Sequence, residues 1–220
     1  MLARRDPATG EPRGISGDLA RELARRLGTP IEFVTFDAAG KVTDALKRGE
    51  WDIAFLAIDP VRAAEIDFTA PYVLIEGTYM VAANSPLRTV EDVDRDGVRV
   101  SVGRGSAYDL YLTRALKHAT LVRGEGPAAS IQLFLKDKLE ACAGVRQPLE
   151  DHARKDPAMR VMAGRFMSIE QAMAAPKGRA AGARYLRTFV EEMKASGFVA
   201  EALERSGQAD AAVAPPSPVD

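Results

Sequence analysis

Apolar runs of strand length alternate with amphipathic helical stretches twice along this chain, and that alternation restricts it to an α/β fold. In the first block, Leu19, Leu23 and Leu27 recur at i, i+4 and i+8 in a helix over Asp18–Leu27 that stops at Gly28. Residues 31–36, Ile-Glu-Phe-Val-Thr-Phe, alternate and predict a strand. A helix over Lys41–Arg48 ends at Gly49, and Trp51–Ile58 is the next strand. Strand, helix and strand of these lengths predict a βαβ unit with parallel pairing. After a long apolar strand over Tyr72–Ala83 and a short polar helix or turn over Thr89–Asp96, the pattern restarts. Its members are a strand over Val98–Val102, a Gly103-Arg-Gly-Ser106 turn and a helix over Ala107–His118. A strand over Ala119–Arg123, a helix over Pro127–Leu135 and a strand over Leu139–Val145 complete it. Two such blocks predict two lobes of similar size. A late strand, Gln171–Pro176, precedes helices over Arg179–Ala195 and Phe198–Leu203. Residues 211–220 are proline-rich and are expected to be disordered.

Composition excludes several function classes. Lysine plus arginine number 30 and aspartate plus glutamate 31, a net charge of -1 that gives no overall attraction to nucleic acid or anionic membrane. The longest apolar stretch, Tyr72–Ala83, is broken by Glu76 and Gly77 and falls short of the ~20 residues that span a bilayer. Cys142 is the single cysteine, which rules out an internal disulfide, and its apolar neighbours mark it as a small core residue. His118 and His152 lack second metal-type ligands at helical spacing and read as surface residues. Gly103-Arg-Gly105 fails as a dinucleotide fingerprint because Tyr108 stands where the third glycine belongs. Nothing calls for a metal or another cofactor. Asp6-Pro-Ala-Thr-Gly10 has turn chemistry, and Met1–Arg5 ahead of it lacks the apolar core of a signal peptide.

The most specific stretch runs from Gly49 to Tyr72: Gly-Glu-Trp-Asp-Ile-Ala-Phe-Leu-Ala-Ile-Asp-Pro-Val-Arg-Ala-Ala-Glu-Ile-Asp-Phe-Thr-Ala-Pro-Tyr. It resembles the family 3 solute-binding proteins, the polar-amino-acid receptors of bacterial ABC importers. The family pattern has a glycine, an apolar strand with an early aspartate, a turn, an arginine, then Ile/Val-Asp-Phe-Ser/Thr-x-Pro-Tyr. The likeness extends to Gly14–Leu27, which is similar to the family's first helix, and to Val100–Ser106, which is similar to its second-lobe turn. It implies a periplasmic binding protein type II fold: two Rossmann-like α/β lobes joined by a two-segment hinge. The first lobe would hold residues 1–76 and 171–220, and the second 77–170, with crossovers near Ile75–Thr78 and Met167–Gln171.

The resemblance also implies a site in the cleft between the lobes. Arg62 follows a strand's C-terminal end, where open α/β sheets bind ligands, and its planar fork suits a carboxylate; the alternative is a surface arginine paired with Glu65. Family members also contact ligand through the strand end before that arginine, here Phe55 and Ala57. Gly105 and Ser106 form the second anchor, a cap whose following helix, starting at Ala107, presents N–H donors. Arg104 and Tyr108 flank that turn.

Three departures bear on ligand class. The family's aspartate for the ligand ammonium aligns with Val145, followed by Arg146. The serine or threonine often present in the family two residues after the strand-end glycine is Ala57 here, and the aromatic lid near Ala39 is missing. A valine cannot pair an ammonium, so a carboxylate without an amine is the expected ligand. Glu76, near the first crossover, is the one candidate to replace the lost aspartate. The family's leading signal peptide and first β-strand are also not seen ahead of Asp6. The resemblance therefore predicts a periplasmic, monomeric receptor for a small anionic metabolite, partnered by an inner-membrane ABC permease and not by nucleic acid. The alternatives on this fold are a sensory ligand-binding domain and an enzyme akin to cyclohexadienyl dehydratase, for which Glu76 would be the acid.

Overall fold

A computed structural model describes residues 2–208 and 211–218. Strands β1 (Arg4–Arg5) and β2 (Pro12–Arg13) form a hairpin around Asp6, whose carboxylate accepts from the N–H groups of Ala8 at 2.7 Å and Thr9 at 3.1 Å. Helix α1 (Ile15–Leu27) ends at Gly28, whose φ of 63° supplies the left-handed cap. Then come α2 (Ala39–Leu46), β3 (Ala54–Ala57) and the 17-residue β4 (Ile66–Ala82). A 3-10 turn over Val90–Val93 leads to β5 (Arg99–Gly103), α3 (Ala107–Ala115), β6 (Thr120–Gly124) and α4 (Pro127–Lys136). β7 (Ala141–Val145) runs directly into α5 (Arg146–Ala153), followed by β8 (Met159–Val161) and β9 (Met167–Pro176). Helices α6 (Ala180–Ala195) and α7 (Phe198–Arg205) and strand β10 (Ala212–Val213) complete the chain.

The chain divides into two compact units. The first comprises Met1–Phe36, Ala45–Leu74 and Glu170–Asp220; the second comprises Asp37–Asp44 and Ile75–Ile169. Chain connections pass between them at Phe36–Asp37, within α2 at Asp44–Ala45, within β4 at Leu74–Ile75 and within β9 at Ile169–Glu170. Asp37–Asp44 falls in the second unit, where the sequence reading placed it in the first lobe. The reason is close backbone packing: a Cβ on Gly40 would lie 3.0 Å from the Arg104 carbonyl oxygen.

In the first unit, β3 pairs antiparallel with β9, from Ala54 opposite Ala174 to Ala57 opposite Gln171. Its core is built from α1 (Ile15, Leu19, Leu23), α6 (Leu186, Phe189, Val190) and α7 (Val199, Leu203), all buried. The predicted βαβ unit does not form here. Residues 31–36 run without strand pairing, and Ile31 and Val34 are exposed. Phe33 lies under the Arg21 guanidinium, 5.0 Å from ring centroid to carbon, and takes no place in a sheet. The tail also departs from expectation over its described part, residues 211–218. β10 pairs with β4 opposite Val73 and Leu74, Ala214 is buried, and its N–H donates to the Tyr72 carbonyl at 3.1 Å. Residues 219–220 of the predicted disordered segment lie outside the described residues.

The second unit carries the parallel pattern. β5 lies parallel to both β6 and β7, with α3 and α4 as crossovers, and the far half of β4 pairs antiparallel with β7. Met80, Phe134, Leu139, Cys142 and Leu149 form one buried cluster of its core. Burial pushes the Cys142 thiol up to about 11, the behaviour of an inert core thiol.

Candidate functional site

Arg62 begins a short 3-10 turn, Arg62–Ala64, five residues beyond Ala57. Its side chain folds back so that Nη1 donates to the Ala57 carbonyl at 2.8 Å. Only 3% of the residue is exposed. Burial lowers its pKa to about 10, and the Asp59 carboxylate partly opposes that shift. Asp59, itself buried, fixes the turn by accepting from the Val61 N–H at 2.8 Å. Phe55 and Ala57 share β3, and Phe55 packs edge-on against Tyr72 with centroids 6.1 Å apart. The first unit thus gathers Phe55, Ala57 and Arg62 around one strand end, with Arg62 held away from the surface pairing with Glu65 that the sequence left open.

In the second unit, Ser106 caps α3, its Oγ accepting from the Asp109 N–H at 3.0 Å. Gly105 has φ of 67°, and a Cβ there would meet the Gly40 Cα at 2.9 Å, so two glycines let the 37–44 segment lie on this turn. Ala107 and Tyr108 are buried. Burial raises the Tyr108 pKa to about 12, and its hydroxyl lies close to Gly103, 3.0 Å from where a Cβ there would stand. Tyr108 therefore braces the turn from behind. Arg104 points to solvent and pairs with Glu125 at 3.1 Å. Sequence reading missed Asp109, although Ser106-x-x-Asp109 is a capping pattern that could have revealed it.

Glu76 and Arg146 come together in the second unit. Arg146 Nε donates to Glu76 Oε2 at 2.7 Å, and Arg165 Nη1 to Glu76 Oε1 at 3.0 Å. Arg146 also donates to the carbonyls of Met162 and Gly164. The Arg146 hydrogen bond holds the Glu76 carboxyl below its ordinary range; burial opposes this and Arg165 adds to it. Both residues are thus committed to the protein. Arg146, which the sequence placed beside Val145 in the candidate site, pairs with Glu76, and Glu76 is engaged by two guanidinium groups. Val145 ends β7 opposite Gly77, with no acidic group at that strand position. Arg165, 89 positions from Glu76, left no signal in the sequence. Among the described residues, no group of three or more histidines, cysteines, aspartates or glutamates is placed to hold a metal ion.

The family model for bacterial extracellular solute-binding proteins, family 3, matches residues 5–209. No curated protein matches the chain. Among solved structures, the substrate binding protein of an amino acid ABC transporter superposes with a TM-score of 0.78 at 17% identity, covering 92% of this chain and 91% of the other. The ancestral amino acid-binding protein AncCDT-1, a precursor of cyclohexadienyl dehydratase, gives 0.76 at 24% identity, covering 93% and 89%. A histidine kinase sensor domain with similarity to periplasmic binding proteins gives 0.80 at 20% identity, covering 97% and 92%. At these identities the likeness is one of fold, and that fold is the type II periplasmic binding protein arrangement of mixed sheet and flanking helices.

Proposed function

Since the chain belongs to the bacterial extracellular solute-binding proteins of family 3, we propose that it is the receptor of an ABC importer and binds a small carboxylate at Arg62. The observation that carries this reading is the buried guanidinium at the end of β3. Its charge is disfavoured by desolvation strongly enough to bring the pKa to about 10. A ligand carboxylate offsets that cost through charge-assisted hydrogen bonds to a fork already oriented by the Ala57 carbonyl.

Ligand class follows from Val145 and Glu76. An α-ammonium needs an anionic partner once removed from water. Val145 offers none, and the Glu76 carboxylate already accepts from Arg146 and Arg165. A carboxylate without an α-amine is the class these residues favour. The same pair argues against catalysis. A general acid in this fold needs a carboxyl with a raised pKa, and Glu76 is shifted the other way. We therefore read the chain as a receptor that leaves its ligand unchanged, acting as a monomer in the periplasm with a membrane permease as partner. No helix among the described residues is long and apolar enough to cross a membrane.

A thermal-shift screen of carboxylates against amino acids tests the reading, because a ligand at 100 times its Kd stabilises the folded state by about 2.7 kcal/mol. Carboxylates are expected to raise the melting temperature of the unmutated protein and not of Arg62→Ala. Equal shifts in both proteins would refute Arg62 as the anchor. Conversion of a prephenate-like acid, lost in Glu76→Gln, would replace the receptor with an enzyme.

A further inference from the structure

Asp59 and Arg62 belong to one turn of the first unit, and both are withdrawn from solvent, at 4% and 3% exposure. Asp59 opens the turn. Its Oδ1 accepts from the Val61 N–H at 2.8 Å, and its carbonyl accepts from the Ala63 N–H at 2.9 Å. Pro60, with its fixed φ, keeps the turn preformed. Arg62 closes it by folding back to the Ala57 carbonyl at 2.8 Å. A carboxylate and a guanidinium are thereby held at the same strand end, where the Asp59 charge acts on Arg62. Capping alone does not ask for that charge, because serine, threonine or asparagine accepts from the same N–H. Aspartate adds a buried anion, which is costly unless a cation compensates it, and the turn supplies that cation in Arg62.

We propose that Asp59 is the resident counter-ion of Arg62: it partly neutralises the guanidinium when no ligand is bound, so a ligand carboxylate binds against the repulsion of one of the protein's own. Asp59 thus sets the affinity of the Arg62 anchor, a role that rests on the receptor reading and deepens it. The consequence of removing its charge has two opposite signs. The fold loses the anion that compensates a buried guanidinium, which lowers stability. The incoming carboxylate loses a like charge beside its binding point, which raises affinity. With Asp59 in place the receptor holds its solute less tightly than Arg62 by itself would, and the solute stays releasable.

Asp59→Asn keeps an oxygen for the Val61 N–H and removes the charge. Its test is an NMR titration with acetate, the probe carboxylate, read at the Arg62 Nε–H signal, with chloride at equal ionic strength as the control. In the variant this signal should saturate at roughly a tenth of the acetate concentration that the unmutated protein needs. Without acetate the variant should melt at a lower temperature. Asp59→Ser, which caps through its hydroxyl, carries the test if the asparagine variant does not fold. Equal or weaker acetate binding in both variants would overturn the proposal and reduce Asp59 to a cap. A urea-unfolding cycle of Asp59→Asn, Arg62→Met and the double variant needs no ligand. The double variant should lose less stability than the two single losses together, and additive losses would overturn the proposal alone. An Arg62 signal indifferent to acetate in every protein would overturn it together with the receptor reading beneath it.

Discussion

Arg62 keeps 3% of its surface in solvent and has its fork aimed by the Ala57 carbonyl. Lysine at this position retains the charge and loses the planar pair of donors. Since a hydrogen bond to a charged group contributes about 1.5–3 kcal/mol, Arg62→Lys should weaken carboxylate binding roughly 10- to 100-fold by calorimetry, with an unchanged circular dichroism spectrum. Unaltered affinity would remove the fork from the account. Val145 is the second residue on which ligand class depends. It sits at the end of β7 in register with Gly77, and Val145→Asp restores an anion at that strand end. The variant should move preference toward the α-amino acid of a matched pair, whereas an unchanged preference would mean the amine is recognised elsewhere.

At the scale of elements, the Glu76–Arg146–Arg165 cluster ties β4 to the start of α5 and to the segment before β9. Because the folded protein holds the Glu76 carboxyl below its ordinary value of 4.5, the unfolded chain takes up the proton first as pH falls. The pair's stabilisation is therefore complete above about pH 4.5 and is lost as pH drops through the lower folded value. The urea-midpoint gap between unmutated protein and Glu76→Gln should be constant from neutral pH to that point and shrink below it. A gap that widens in acid would contradict the ion pair. The docked tail makes a separate prediction. Ala214 is 3% exposed on the first unit, so Ala214→Asp buries a charge and should lower unfolding stability by about 2 kcal/mol or more. No change would mean that the tail does not pack there.

Local rules carried the helices well. The i, i+4, i+8 leucines and Gly28 marked α1, and Ser106 marked the start of α3. Local rules failed where a partner far along the chain decides the outcome. Residues 31–36 alternate as a strand does, but alternation reports two unlike faces and not a neighbour to pair with. The tail's prolines hid a two-residue bridge to Val73 and Leu74. α5 was missed because Arg146-Gln-Pro-Leu-Glu-Asp-His-Ala153 is polar, with Pro148 in its first turn. The site divides in the same way. Arg62 announced itself through its motif, and Asp109 lay within reach of a capping rule. The link from Glu76 to Arg146 joins residues 70 apart in sequence and needed the β4–β7 register to appear.

For the molecule as a whole, family membership fixes the fold and the general task of solute binding, while the choice of solute rests on a few side chains. The expected features of that solute are a carboxylate for Arg62 and no α-amine, since Val145 offers it no anionic partner. Calorimetric titration of the unmutated protein with matched pairs, succinamate against asparagine and glutaramate against glutamine, tests this most directly. In each pair the two compounds share a carboxylate and a terminal amide and differ by the α-ammonium alone. The account predicts that the amine-free member of at least one pair binds, and binds at least tenfold more tightly than its amino acid. Tighter binding of the amino acid in every pair that binds would contradict it and would return this chain to the amino-acid receptors.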